Sequence, residues 1–137
     1  MNKKIIFIII TVLFLFFVTD KFMYSMSKPE TGMTYEEAIL HDKPFIVLFH
    51  SDNCYYCRKF MPSFEKLSKE LSHKYNFVLI NTNNSKYAEL YRGYMVYAIP
   101  DLMILSPKDD KAEKVPSSMY LNYEYLKNYL EKHTFAK

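Results

Sequence analysis

Hydrophobic residues fall along this chain in unequal blocks, and the first block is unbroken. Ile5 to Val18 is Ile, Val, Leu and Phe apart from Thr11, with Lys3 and Lys4 in front of it. A basic stub followed by an apolar run is the pattern of an export segment. As a helix the run reaches about 21 Å at ~1.5 Å per residue. That is short of a ~30 Å hydrocarbon core, so the length favours a signal peptide. No Ala-x-Ala cleavage site follows, the nearest small residues being Ser25 and Ser27. Extension through Phe22, Met23 and Tyr24 would instead make an uncleaved membrane anchor with an aromatic at the far interface. Residues 1–27 are therefore read as signal peptide or anchor. Lysines held on the cytoplasmic side send the remainder across the plasma membrane, into a periplasmic or other extracytoplasmic space where disulfides persist. Residues 28–33, with Pro29 and Gly32, read as a linker.

Beyond it the blocks alternate in period. Thr34 followed by Glu37 is a capping-box pattern and opens a short helix to about His41, which Lys43-Pro44 ends. Phe45 to Phe49 is a continuous apolar run, as expected of a strand covered on both faces. From Cys54 to about His73, Phe60, Met61, Phe64, Leu67 and Leu71 recur at helical spacing, with Pro62 predicting a kink. Phe77 to Ile80 predicts a second buried strand, Lys86 to Arg92 a helix stopped by Gly93, and Leu102 to Leu105 a third strand. Ser106 to Lys111 reads as a charged turn and Val115 to Tyr120 as the last strand. Asn122 to His133 closes the chain as an amphipathic helix with Leu126, Tyr129 and Leu130 inward.

Composition narrows the function. With 137 residues and a net charge of +3, the chain amounts to one domain beside its leader. Much of that charge is Lys3, Lys4 and Lys21, so the body is nearly neutral, without the basic stripe that nucleic acid requires. Two glycines, Gly32 and Gly93, cannot form a phosphate-cradling loop, which excludes nucleotide folds of the Rossmann and P-loop kinds.

The chemistry is concentrated in Cys54-Tyr55-Tyr56-Cys57, where a strand gives way to a helix. A thiol at a helix N-terminus is activated, because unpaired N–H groups and the helix dipole stabilise its thiolate. Cys54 is thus the expected nucleophile, and Cys57, one turn further in, the resolving thiol. A structural disulfide competes with this reading, though so short a loop constrains the unfolded chain little. A zinc site would need His50 and His73 as further ligands, since a second Cys-x-x-Cys is missing. Arg58 occupies the place where c-type haem attachment needs His. Neither metal nor any other cofactor is expected beyond the redox-active pair itself.

Strand, Cys-x-x-Cys, a helix with Pro62, a further strand, and Ile99-Pro100 before another strand together resemble the thioredoxin superfamily, over about Thr34 to His133. The opening Tyr35-Glu36-Glu37-Ala38 and Lys43-Pro44 are most similar to its short, exported thioredoxin-like branch. The resemblance implies an α/β thioredoxin-like fold over residues 34–137, a central mixed sheet of about four strands flanked by helices. It implies a cis Pro100 facing the cysteine pair, with Ile99 and Pro100 forming the edge on which substrate docks. Three positions depart from the family. Asn53 replaces the usual tryptophan, Tyr55-Tyr56 replace Gly-Pro, and the buried acid of the first strand falls on Leu48. The proton acceptor for Cys57 is then left to water or His50, and Tyr55 and Tyr56 become candidate substrate contacts through stacking. The function this implies is a thiol-disulfide oxidoreductase working in the reducing direction on exported proteins with disulfides, and recharged by a thiol redox partner. The alternative is a thioredoxin-fold binding or adaptor module whose cysteines are a staple or sensor.

Overall fold

The computed structural model describes residues 2–27 and 32–135, the first stretch with side chains as far as Leu15. Residues 28–31 of the expected linker and 136–137 of the expected domain lie outside the described residues. Helix α1 (Lys3–Ser27) comes first. The apolar side chains described on it, from Ile5 to Leu15, are solvent-exposed on every face. Among the described residues no helix is long and apolar enough to cross a membrane.

The sheet is built from the apolar runs. Strands β1 (Phe45–His50), β2 (Asn76–Asn81), β3 (Asp101–Ser106) and β4 (Lys111–Lys114) lie in the order β2-β1-β3-β4. β1 runs parallel to β2 and antiparallel to β3, and β4 is antiparallel to β3. Alternate residues of the two central strands enter two separate cores, which is why β1 and β3 read as unbroken apolar runs. On one face Ile46, Leu48, Leu102 and Ile104 pack with Phe60, Phe64 and Leu67 of α3 (Tyr55–Glu70) and with Leu126 and Leu130 of α5 (Tyr123–Lys132). On the other, Phe45, Val47, Phe49 and Met103 pack with Ala38 of α2 (Tyr35–Ala38) and with Leu90 and Tyr91 of α4 (Ala88–Gly93).

Local chemistry sets the boundaries. Thr34 and Glu37 form the reciprocal capping box that opens α2. The helix is over after Ala38, where Leu40 and His41 turn to bonds three residues back. Asn122 caps α5 through its side chain, and the Lys74 ammonium caps its far end by donating to the carbonyls of Leu130, Glu131 and His133. Helix α3 runs through Pro62, whose ring nitrogen has no proton to give the Arg58 carbonyl.

One sequence expectation is corrected. The last strand is β4 at Lys111–Lys114, whereas Ser117 to Tyr120 of the expected strand lie in a 3₁₀ turn, Ser117–Leu121. β4 sits at the sheet edge and alternates half-buried with exposed positions, so it needs no apolar run. Pro116, lacking an N–H, would break a ladder through 115–120. Helix α4 ends at Gly93 as expected, and the left-handed residue that closes it is Met95, at φ 53°. The N–H groups of Met95 and Val96 donate to the carbonyls of Arg92 and Tyr91, a Schellman closure with methionine where glycine is usual. Holding a non-glycine residue there costs about 1–2 kcal/mol. Upstream, Gly32 takes φ 75°, and Met33 then forms a parallel bridge to Val78 on the outer side of β2.

Candidate active site

The loop that leaves β1 is fastened before it delivers its cysteine. The Asn81 amide, at the end of β2, donates to both carboxylate oxygens of Asp52 at 3.0 and 2.9 Å. Arg58 donates from its guanidinium to the Asp52 carbonyl at 3.1 Å, and the Cys54 N–H to the Ser51 carbonyl at 3.2 Å. Cys54 therefore lands at the N-cap of α3, in extended conformation. Its Sγ accepts the Cys57 N–H at 3.1 Å. The two cysteines are joined as a disulfide with Cα atoms 5.2 Å apart. Cys57 is 1% exposed, whereas Cys54 is half-buried and reachable. Burial thus separates the two sulfurs as their spacing predicts.

A second segment closes over the pair. The Ile99–Pro100 peptide bond is cis, and the Ile99 carbonyl oxygen lies 3.8 Å from Cys54 Sγ. Beside them runs a groove of about 760 Å³ lined by Tyr56, Phe60, Ile99, Pro100, Tyr120 and Leu121 among others. Tyr56 is 70% exposed and Leu121 93% exposed, so the groove presents apolar surface directly to solvent. The structure thereby brings Cys54, Tyr56, Ile99 and Pro100 together. Tyr55 does not line the groove. Its ring stands edge-on to Tyr56, centroids 5.5 Å apart, and carries the Lys59 ammonium 4.7 Å above it. Tyr120 and Leu121 were not singled out by sequence, because Tyr120 falls at the end of the expected strand and Leu121 between that strand and the last helix. Tyr120 is more than a wall: its hydroxyl accepts the Leu102 N–H at 2.8 Å and donates to the Val115 carbonyl at 3.1 Å. Burial pushes that phenol well above its ordinary range.

Beneath the cysteines the sheet is apolar. Leu48 is fully buried, in one cluster with Phe60 and Leu102. His50, at the end of β1, is half-buried, and burial lowers its pKa against the opposing pull of the Asp52 charge. A neutral imidazole is therefore favoured there. Among the described residues no group of three or more His, Cys, Asp or Glu could hold a metal ion.

A mixed four-stranded sheet, a Cys-x-x-Cys pair at the head of the helix after its first strand, and a cis X-Pro bond against that pair define the thioredoxin-like class of domains. The chain belongs to the thioredoxin family, whose sequence model, described as Thioredoxin, matches residues 26–132. It is 25% identical over 125 residues to the chloroplastic thioredoxin-like protein HCF164 of Arabidopsis thaliana, covering 89% of this chain and 48% of that one. It is 30% identical over 80 residues to the thiol:disulfide interchange protein TxlA of Synechococcus elongatus, covering 58% of this chain and 42% of that one. The chain thus spans less than half the length of either relative. The J-Trx1 fragment of ERdj5 superposes with a TM-score of 0.64 at 22% identity, over 77% of this chain and 50% of that fragment, a likeness of fold.

Proposed function

We propose that this protein is a thiol-disulfide oxidoreductase acting on exported proteins. The observation that carries the reading is the unequal exposure of two cysteines at a helix N-terminus, Cys54 reachable and Cys57 sealed. In the reduced pair the Cys54 thiolate attacks one sulfur of a substrate disulfide, forming a mixed disulfide and releasing one substrate thiolate. Cys57 then gives up its proton and attacks Cys54 Sγ. The second substrate thiolate leaves and the Cys54–Cys57 bond closes, so two electrons have passed to the substrate. Water or the neutral His50 takes the Cys57 proton, and a thiol partner restores the reduced pair. Tyr56, Ile99 and Pro100 form the edge on which the substrate segment lies, with Tyr55 at its margin. A segment added there as a further strand presents its disulfide to Cys54.

The reducing direction rests on charge. No cation lies between the cysteines, and the two that follow them in sequence are engaged elsewhere, Arg58 with the Asp52 carbonyl and Lys59 with the Tyr55 ring. The thiolate gains no exceptional stabilisation, so equilibration with glutathione is expected to give a potential nearer ~−270 mV than ~−120 mV. A value above about −150 mV would place the pair among the oxidants and reverse the direction.

The exposed apolar side chains of α1 behind Lys3 and Lys4 support an export segment over residues 1–27, ahead of a linker over 28–33 and a thioredoxin-like domain over 34–137. The domain then works outside the cytoplasm, tethered to the plasma membrane wherever the segment is retained. Alkaline phosphatase fused after Tyr120 should be active in an exporting bacterium. An inactive fusion beside an active cytoplasmic reporter at the same site would refute export.

A further inference from the structure

We propose that Lys114, on the edge strand β4, is a positioning residue for the docking edge, holding both ends of the segment from Met95 to Asp101 that carries Ile99 and Pro100. The inference rests on the reading of that segment as the place where substrate lies.

The geometry is specific. Lys114 pairs in the ladder with Met103, so its side chain shares a face with Asp101 one diagonal step away. Its Nζ lies 2.6 Å from Asp101 Oδ2, on a side chain only 9% exposed. The same Nζ donates to the Met95 carbonyl at 3.3 Å. One ammonium therefore grips the residue immediately after Pro100 and the left-handed residue at which the segment begins. The Lys114 side chain is itself 45% exposed and its bond to Met95 lies at the surface, but the carboxylate it meets is nearly buried, and a charge-assisted bond to it is stronger than a neutral one.

The other face of the same strand end is held independently. Val115 donates its N–H to the Leu102 carbonyl at 2.9 Å, and Tyr120 accepts the Leu102 N–H. Asp101 is itself paired with Phe49 in the ladder. The sheet therefore survives loss of the lysine charge, whereas the Met95 end of the segment loses a bond that no strand replaces. An incoming peptide must meet the Ile99 and Pro100 backbone already in place, and a loosened segment ties up binding energy in ordering itself. The expected deficit lies in substrate affinity, not in the sulfur chemistry of Cys54.

The test compares full-length variants in reduction of a disulfide-bridged peptide. Lys114→Met keeps the stem and removes the charge; it should raise KM about five- to tenfold with kcat changed less than about twofold, as a lost positioning interaction does. Lys114→Arg should recover most of the affinity, and Asp101→Asn should reproduce the defect without adding to it in the double variant. Alkylation of Cys54 by iodoacetamide should proceed at the wild-type rate in Lys114→Met. Ile99→Lys, which places a charge on the docking edge itself, is the reference. If Ile99→Lys raises KM and Lys114→Met does not, the inference is overturned alone. If neither does, the docking-edge reading falls and the inference with it. Equal losses in kcat, thermal midpoint and alkylation rate would mark Lys114 as merely structural, and equally overturn it.

Discussion

Cys57→Ser is expected to accumulate covalent complexes with disulfide-bearing partner proteins, released by reductant, while Cys54→Ser accumulates none. Exchange passes through a mixed disulfide that a second thiol must resolve, so removing the resolver halts the cycle with the partner attached. The asymmetry follows from burial. Cys54 sits at the N-cap, half-buried and beside the groove, whereas Cys57 is 1% exposed and cannot be reached by a protein disulfide. A staple would lose stability about equally from either substitution, and a sensor need trap nothing. Non-reducing electrophoresis of the native compartment reads the difference. If both variants trap nothing while the wild type fails to reduce insulin, the cysteines are not catalytic and the adaptor reading takes over.

Leu48→Asp is expected to cost about 4–5 kcal/mol at neutral pH, a large part of the ~5–15 kcal/mol that holds a domain together. Leu48 is fully buried among Phe60, Leu102 and their neighbours. The substitution removes packed methyl groups and introduces a carboxyl without a partner. Burial raises the folded-state pKa of that carboxyl above its unfolded value of ~3.9. The folded state then binds more protons than the unfolded state between the two values, so stability falls as pH rises through that interval. Urea unfolding at pH 4 and pH 7, with Leu48→Ala reporting the cavity alone, separates the two contributions. Equal losses for Asp and Ala at both pH values would mean that the site is polar enough to solvate a charge. The apolar floor also bears on mechanism, because it leaves Cys57 without the carboxylate that the resemblance to the family leads one to expect beneath it.

What could be read from the residues alone follows a physical line. β1, β2 and β3 were legible because each carries an apolar run, Phe45–Phe49, Phe77–Ile80 and Leu102–Leu105, and burial on both sheet faces demands one. β4 was not. Lys111, Ala112, Glu113 and Lys114 have no apolar signature, and they form a strand because β3, just across the turn at 107–110, offers its open edge as a partner. The cysteine pair and its helix were legible because both chemistry and cap are local in sequence. The rest of the groove was not, since Tyr120 and Leu121 reach it through the turn after β4, which neither period nor composition announces. Gly93 marked the helix end correctly, but glycine is the cheapest residue at a left-handed position, and nothing in the sequence announces that Met95 takes it.

The bridge between Met33 and Val78 gives the chain's approach to its domain a second use. β2 is an outermost strand of the sheet, and an open strand edge is a template on which another copy or an unfolded chain can pair. Met33 occupies part of that edge, directly after the left-handed Gly32. Release of the domain by proteolysis is therefore harmless only when the cut falls before Gly32. A cut one or two residues later would free Met33 and bare that part of the β2 edge to another strand, while leaving the cysteine pair beyond the end of β1 untouched.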